Sequence, residues 1–238
     1  MKNILLVYSL FFAVFNTTAA QYRVENTTLY FAGELNISDV RAAIESAPSV
    51  RRLVISSPGG DVLAGILFAN WVHERKLDIE VNEICASSCA NYVLPAGQQK
   101  LITDGALLIW HGGAYQTNFV DFVKSFEQAL WRKETEQPWP GDARILQAVS
   151  LYQSAKFLQA MEDAFYERIG VNRELPIAGL SIGGLSIGAW TLSYSAMASY
   201  GIENLTLPTN YGTQAYIDHW LAARYPDPAN RKNVTLLM

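Results

Sequence analysis

The chain has 238 residues, of which half are hydrophobic and 17% charged, with a net charge of -4. That is enough apolar material for one sizeable core. The mild acidity, with no basic stripe, argues against nucleic acid as a partner.

The first twenty residues read as a separate object. Lys2 gives a short positive start, Ile4 to Phe15 is an apolar run, and Thr18-Ala19-Ala20 ends it with small residues. This three-part pattern predicts a secretory signal peptide over residues 1–20. An uncleaved N-terminal anchor is the alternative, although the run is short for a membrane span. Either way the folded part is expected to be exported, periplasmic or secreted. Residues 21–238 are read as a single domain with a helical insertion at about 118–170.

Residues 21–27 read as a polar lead-in. Thr28 to Ala32 predicts a strand, and Ser38 a helix cap for Asp39 to Ser46. Arg52 to Ser56 is a short buried strand. Ser57-Pro58-Gly59-Gly60-Asp61 is a turn, with Asp61 capping a helix over about Val62 to Arg75. That helix carries Val62, Ile66, Ala69 and Val72 on one stripe, and Leu63, Leu67 and Trp71 on the next.

Asp78 to Ile84 predicts a strand that runs into Cys85-Ala86-Ser87-Ser88-Cys89, followed by a helix over 88–95. Lys100 to Thr103 and Ala106 to Trp110 are two more short strands around an Asp104-Gly105 turn. Helical patterns cover Asn118 to Glu136 and Asp142 to Ile169. A direct duplication, GLSIG-GLSIG, fills 179–188 and reads as a glycine-rich loop or short strand, a neutral local duplication rather than a binding loop; no lysine follows where a phosphate cradle needs one. Trp190 to Ser193 leads into a short helix stopped by Gly201, and a last helix runs from Asn210 to about Arg224. Pro226 and Pro228 then introduce a frayed tail. Strands alternating with helices predict an α/β fold with parallel strands.

Three pieces carry chemistry. Serine is a weak nucleophile that needs a base and oxyanion donors. Ser88 stands where a strand meets a helix, and the helix N-terminus favours developing negative charge. The Cys89 N–H and the Gly59-Gly60 turn can supply oxyanion donors. His111 follows a strand and precedes two glycines, whereas His73 and His219 lie on helices. Each piece alone also reads as structural: a cap, a turn, a buried histidine. Together, each after a strand, they point to nucleophilic catalysis.

Strand–SPGG–helix, then Ser88 nine residues before Gly97, then His111 at a strand end 23 residues after the serine: this order resembles the Clp protease proteolytic subunit. More broadly it resembles the Clp/crotonase superfamily, especially exported Clp-like members. The likeness covers about 28–115 and resumes at Trp190 to Ile202. It implies a spiral of ββα units, with Ser88 as nucleophile and His111 as base. The N–H groups of Gly60 and Cys89 would form the oxyanion hole, and a peptide would pair its backbone along the SPGG segment. The chain departs from the pattern at the triad acid, where about Ala189 stands, and no carboxylate lies between Glu174 and Glu203. Glu162 and Asp163 are candidate substitutes, read by default as solvated surface charges.

Cys85 and Cys89 flank the serines, four apart across a strand-to-helix turn, so their Cα atoms can approach to about 6 Å and a disulfide is expected. Two buried thiols are the alternative. The functional expectation is an exported Clp-like serine peptidase. The alternatives are a catalytically degenerate peptide-binding or scaffold protein, a crotonase-type acyl-CoA enzyme, and a lysine base at Lys124 or Lys133. No cofactor and no metal are expected. Partners reduce to a peptide or protein substrate, with no ATPase and with self-association at most.

Overall fold

The computed structural model describes residues 19–116, 120–121, 123–128, 143–180, 188–231 and 233–238. Residues 1–18 of the expected signal peptide (1–20), most of the GLSIG duplication (181–187) and Lys133 lie outside them. The predicted helix at 118–136 is described at 120–121 and 123–128, which are helical.

The protein is α/β, built on a mixed, mostly parallel sheet. Strands β1 (Gln21–Glu25), β2 (Thr28–Ala32), β3 (Arg52–Ser57), β4 (Asp78–Ala86), β5 (Lys100–Ile102) and β8 (Leu205–Thr206) follow in that spatial order, and β6 (Leu107–Ile109) also pairs with β4. Among the described strand pairs of this sheet only β1–β2 is antiparallel. Parallel neighbours require crossovers. Helices α1 (Ile37–Ser46) and α2 (Val62–Arg75) provide the first two. Phe31, Leu53, Ile55, Phe68 and Val72 meet in the core between sheet and helices.

Besides β3, strand β4 pairs with both β5 and β6 because it is bent. Its register with β3 shifts between Ile55–Val81 and Ser57–Cys85, and Glu83 in the shifted stretch has φ 61°. Such a bulge sharpens the local twist. Before it, Ile79 to Val81 pair with β5; after it, Ile84 to Ala86 pair with β6. The Glu83 carbonyl accepts a hydrogen bond from Trp220 Nε1 at 3.0 Å.

The second half adds α3 (Ala143–Ile169), α4 (Tyr194–Ser199) and α5 (Gln214–Arg224). Strands β7 (Trp190–Leu192) and β9 (Thr235–Leu237) form a separate parallel pair. Trp110 and Trp190 exchange two backbone hydrogen bonds at 2.8 and 2.9 Å, which ties β7 to the end of β6. No described helix is long and apolar enough to cross a membrane.

Several expectations need correction. The polar lead-in is strand β1, paired from Gln21–Ala32 to Glu25–Thr28 around a turn with Asn26 at φ 54°. All five of its residues are exposed, so the short Tyr22–Val24 alternation marks no core face. Helix α1 is capped by Asn36, not Ser38: Asn36 Oδ1 accepts from Asp39 N at 2.9 Å, and Ser38 Oγ bonds to the same oxygen. The tail is not frayed, since β9 pairs with β7 and Val234 is buried. The buried face of α2 is broad, as its two stripes predict, and also takes in Ala64, Gly65 and Phe68. Helix 88–95 is a π turn over Cys89–Val93, wholly buried.

Candidate active site

The three motifs meet because they occupy the same ends of neighbouring strands. Ser57 ends β3, Ala86 ends β4 and Ile109 ends β6, with Ser57 opposite Cys85 and Ala86 opposite Ile109. The strands are parallel, so SPGG, the serine pair and His111 all emerge at the carboxyl edge of the sheet. Open α/β sheets bind ligands there. A cavity of about 200 Å³ opens at this edge, lined by Gly60, Ser87, Ser88, Asn91 and His111, with Ala155 and Leu158 of α3 on its far wall.

The SPGG turn is held from both sides. Leu35 N donates to Gly59 O at 2.7 Å and Asp61 N to Leu35 O at 2.8 Å. The Gly59 N–H is committed to Ser57 Oγ at 3.1 Å. No described residue accepts from the Gly60 N–H, which leaves Gly60 as the turn's open donor. Glycine is required at both positions, with φ 94° and 144°. A Cβ on Gly59 would stand 2.5 Å from Ala86 O and 2.9 Å from Ser88 N, so the turn lies directly against the serine elbow.

The elbow is braced by the Cys85–Cys89 disulfide, whose Cα atoms are 5.2 Å apart. Both cysteines are fully buried. Ser87 has φ 53°, donates its N–H to Ile109 O at 2.9 Å and is half-buried. Ser88 is 2% exposed, and its hydroxyl donates to Gly60 O at 2.8 Å. Asn91 Nδ2 donates to Gly112 O at 2.8 Å, joining the turn after the serines to the loop after His111.

His111 is half-buried at the cavity wall, and burial pulls its pKa below the usual 6.5, while a hydrogen bond to its own backbone acts the other way. Burial disfavours the imidazolium, so the ring is neutral near pH 7 and able to take a proton. His73 and His219 lie on α2 and α5, away from the cavity. Lys124 is exposed and does not line it.

The position expected to hold the triad acid, Ala189, is buried and apolar. Glu162 is not the solvated charge expected from the sequence; it is fully buried. Its Oε2 accepts from Tyr92 OH at 2.5 Å and from Ala114 N at 3.0 Å. One carboxylate therefore grips the turn that follows the serines and the loop that follows His111. Burial raises its pKa, and the bonds from Tyr92 and Ala114 only partly oppose this. Gly113 permits the approach, since a Cβ there would come within 2.8 Å of Glu162 Oε2. Gln159 Nε2 adds a bond to Ala114 O at 3.2 Å, and Tyr166 OH donates to Asn91 O at 2.6 Å. Asp163 faces elsewhere, to Tyr115 OH at 2.5 Å and Arg173 at 2.9 Å.

Glu162, a candidate acid from the sequence, reads by default as solvated because a carboxylate on a long helix usually is. A signal existed: Ala155, Gln159, Glu162 and Tyr166 recur at helical spacing on one buried face. Among the described residues no group of His, Cys, Asp and Glu is placed to hold a metal ion. No protein-family model and no curated protein matches the chain.

Proposed function

We propose that the chain is an exported serine peptidase of Clp-like fold, acting through an acyl-enzyme with His111 as general base. The observation that carries this reading is the convergence of the SPGG turn, the serine elbow and His111 on one cavity at the carboxyl ends of β3, β4 and β6. A hydroxyl, a neutral imidazole and free backbone donors in one place are the parts that acyl transfer needs. The disulfide fits an oxidising compartment outside the cytoplasm.

In this reading the imidazole takes the serine proton as the oxygen attacks the scissile carbonyl. The oxyanion rests on N–H groups of the Gly60 turn and the elbow. The imidazolium then returns the proton to the leaving amine, and water hydrolyses the acyl ester by the same steps. Without a carboxylate at Ala189, the pair works as a Ser–His dyad, with Glu162 supporting both arms through Tyr92 and Ala114. Dyads without an orienting acid turn over more slowly.

A cavity of about 200 Å³ is small beside the ~300–1,000 Å³ that encloses a drug-sized ligand. It suits one side chain of an extended peptide better than the acyl-pantetheine arm of a crotonase substrate. The buried Ala189 supports a second reading, a peptide-binding protein of the same fold without turnover. Fluorophosphonate labelling separates the two. A peptidase labels, and His111→Ala reduces the rate by about a hundredfold or more. A folded wild-type protein that does not label overturns the enzymatic reading.

A further inference from the structure

Resting on the serine-hydrolase reading, we propose that the attacking hydroxyl is Ser87, and that Ser88 is a positioning residue. The spacing to Gly97 that selects Ser88 from the sequence assumes an ordinary helix after the serines. The segment is instead a π turn, with Leu94 N bonded to Cys89 O five residues back. A π turn takes up one residue more than an α turn, and such turns are frequent at functional sites. Counting back from Gly97 with one extra residue reaches Ser87.

The backbone separates the two serines. Ser87 has φ 53°, in the left-handed region that costs an L-residue energy, whereas Ser88 has φ -57° in ordinary helical space. The other non-glycine residues with positive φ are Asn26, Lys76, Glu83 and Asn204, none of which lines the cavity. Ser87 is thus the one strained non-glycine residue at the site among the described residues. Strain of this kind is retained where it aims a functional group.

The hydroxyls separate them again. Ser88 is 2% exposed, with its proton committed to Gly60 O at 2.8 Å. On its other side, a Cβ added to Gly65 would stand 3.0 Å from Ser88 Cβ. Ser88 also lines the cavity, but so little of it is exposed that its oxygen offers a substrate carbonyl carbon less open surface than that of Ser87. Ser87 is half-buried on the cavity wall, and no described residue hydrogen-bonds to its hydroxyl. It stands one residue beyond Ala86, the partner of Ile109, and His111 stands two beyond Ile109, so the two residues continue from adjacent strand ends.

With Ser87 as nucleophile the donors also fall into place. The N–H after the nucleophile belongs to Ser88, and no described residue accepts from it or from the Gly60 N–H. The bond from Ser88 Oγ to Gly60 O ties these two peptides together. Ser88 therefore holds the oxyanion donors in register. In the acylation step the Ser87 Oγ–H proton passes to His111 as the new C–O bond forms. The C–N bond then breaks and the amine leaves with that proton. Water later attacks the ester, gives a proton to His111, and the proton returns to Ser87 as the acid departs.

The test is to label the full chain with a fluorophosphonate, digest it, and locate the adduct by tandem mass spectrometry, beside Ser87→Ala and Ser88→Ala. The expected adduct is on Ser87. Ser87→Ala should lower the labelling rate by about a hundredfold or more, and Ser88→Ala by about tenfold with the adduct still on Ser87. An adduct on Ser88 of the wild type, with labelling that survives Ser87→Ala, overturns the assignment and leaves the hydrolase reading intact. A folded wild type that does not label overturns both. Adduct position in the wild type needs no variant to fold.

Discussion

The two sides of the cavity are built differently. The sheet side, from Ser57 to Gly113, is set by backbone geometry: positive φ at Gly59, Gly60 and Ser87, a bulge in β4, and a disulfide across four residues. The helix side is set by buried side chains of α3 that hold the loop after His111 and the turn after the serines, with Glu162 and Gln159 on Ala114 and Tyr166 on Asn91. In the proposed mechanism backbone geometry aims the reacting groups, and long-range side chains tie the two arms together. Errors on the sheet side should therefore abolish chemistry, while errors on the helix side should loosen it.

The sharpest way to break the sheet side is Gly59→Ala. The new methyl would meet Ala86 O and Ser87 Cβ at 2.5 Å, at a φ of 94°. The expected cost is on the order of 3 kcal/mol or more, with labelling lost. A variant with wild-type melting and labelling would show that the turn does not touch the elbow as described.

Glu162→Ala probes the helix side. It leaves Tyr92 OH and Ala114 N buried without their acceptor, at about 2–4 kcal/mol by thermal or denaturant unfolding. Glu162→Gln retains an acceptor and should be milder. The variants also differ with pH. The folded pKa of Glu162 is raised, so its ionisation stabilises the unfolded state more than the native one. Its contribution is fully present below the usual carboxyl range and is lost as pH rises through the raised value. Wild-type stability should therefore fall relative to Glu162→Gln across that window; parallel curves would mean that Glu162 is not buried as described.

Removing the disulfide by Cys85→Ser with Cys89→Ser should cost about 2 kcal/mol, the chain-entropy value for so short a loop. The larger effect is expected on labelling rate, because the brace spans both serines. Tyr211→Phe is the mildest change. Its hydroxyl meets Thr191 Oγ1 at 3.0 Å and Leu108 N at 3.2 Å, so about 1–2 kcal/mol should be lost, with labelling nearly unchanged. A large loss of labelling there would place β7 closer to the chemistry than the comparison allows.

The same division explains what could be read from the sequence. Strands β2 and β3, helix α2 with its Asp61 cap, the Gly105 turn and helix α3 were legible because local periodicity and turn residues mark them. So was the cysteine pair. The hairpin strand β1 was not, since its one apolar pair, Tyr22 and Val24, is short and exposed, nor was β9, whose partner is more than forty residues away. The π turn was invisible because its residues are those of any buried helix. Glu162 was hidden for a related reason: its role depends on Tyr92 and Ala114, each distant in sequence.

The most direct test of the account is the second-order rate of fluorophosphonate inactivation as a function of pH. In the proposed mechanism neutral His111 is the base, and burial lowers its pKa. The rate should therefore rise as pH increases through a value below about 6.5 and stay level above it, with the step absent in His111→Ala. A folded protein that is not inactivated, or a rate that climbs in proportion to hydroxide across about pH 5–9 with no plateau, would contradict a serine activated by His111.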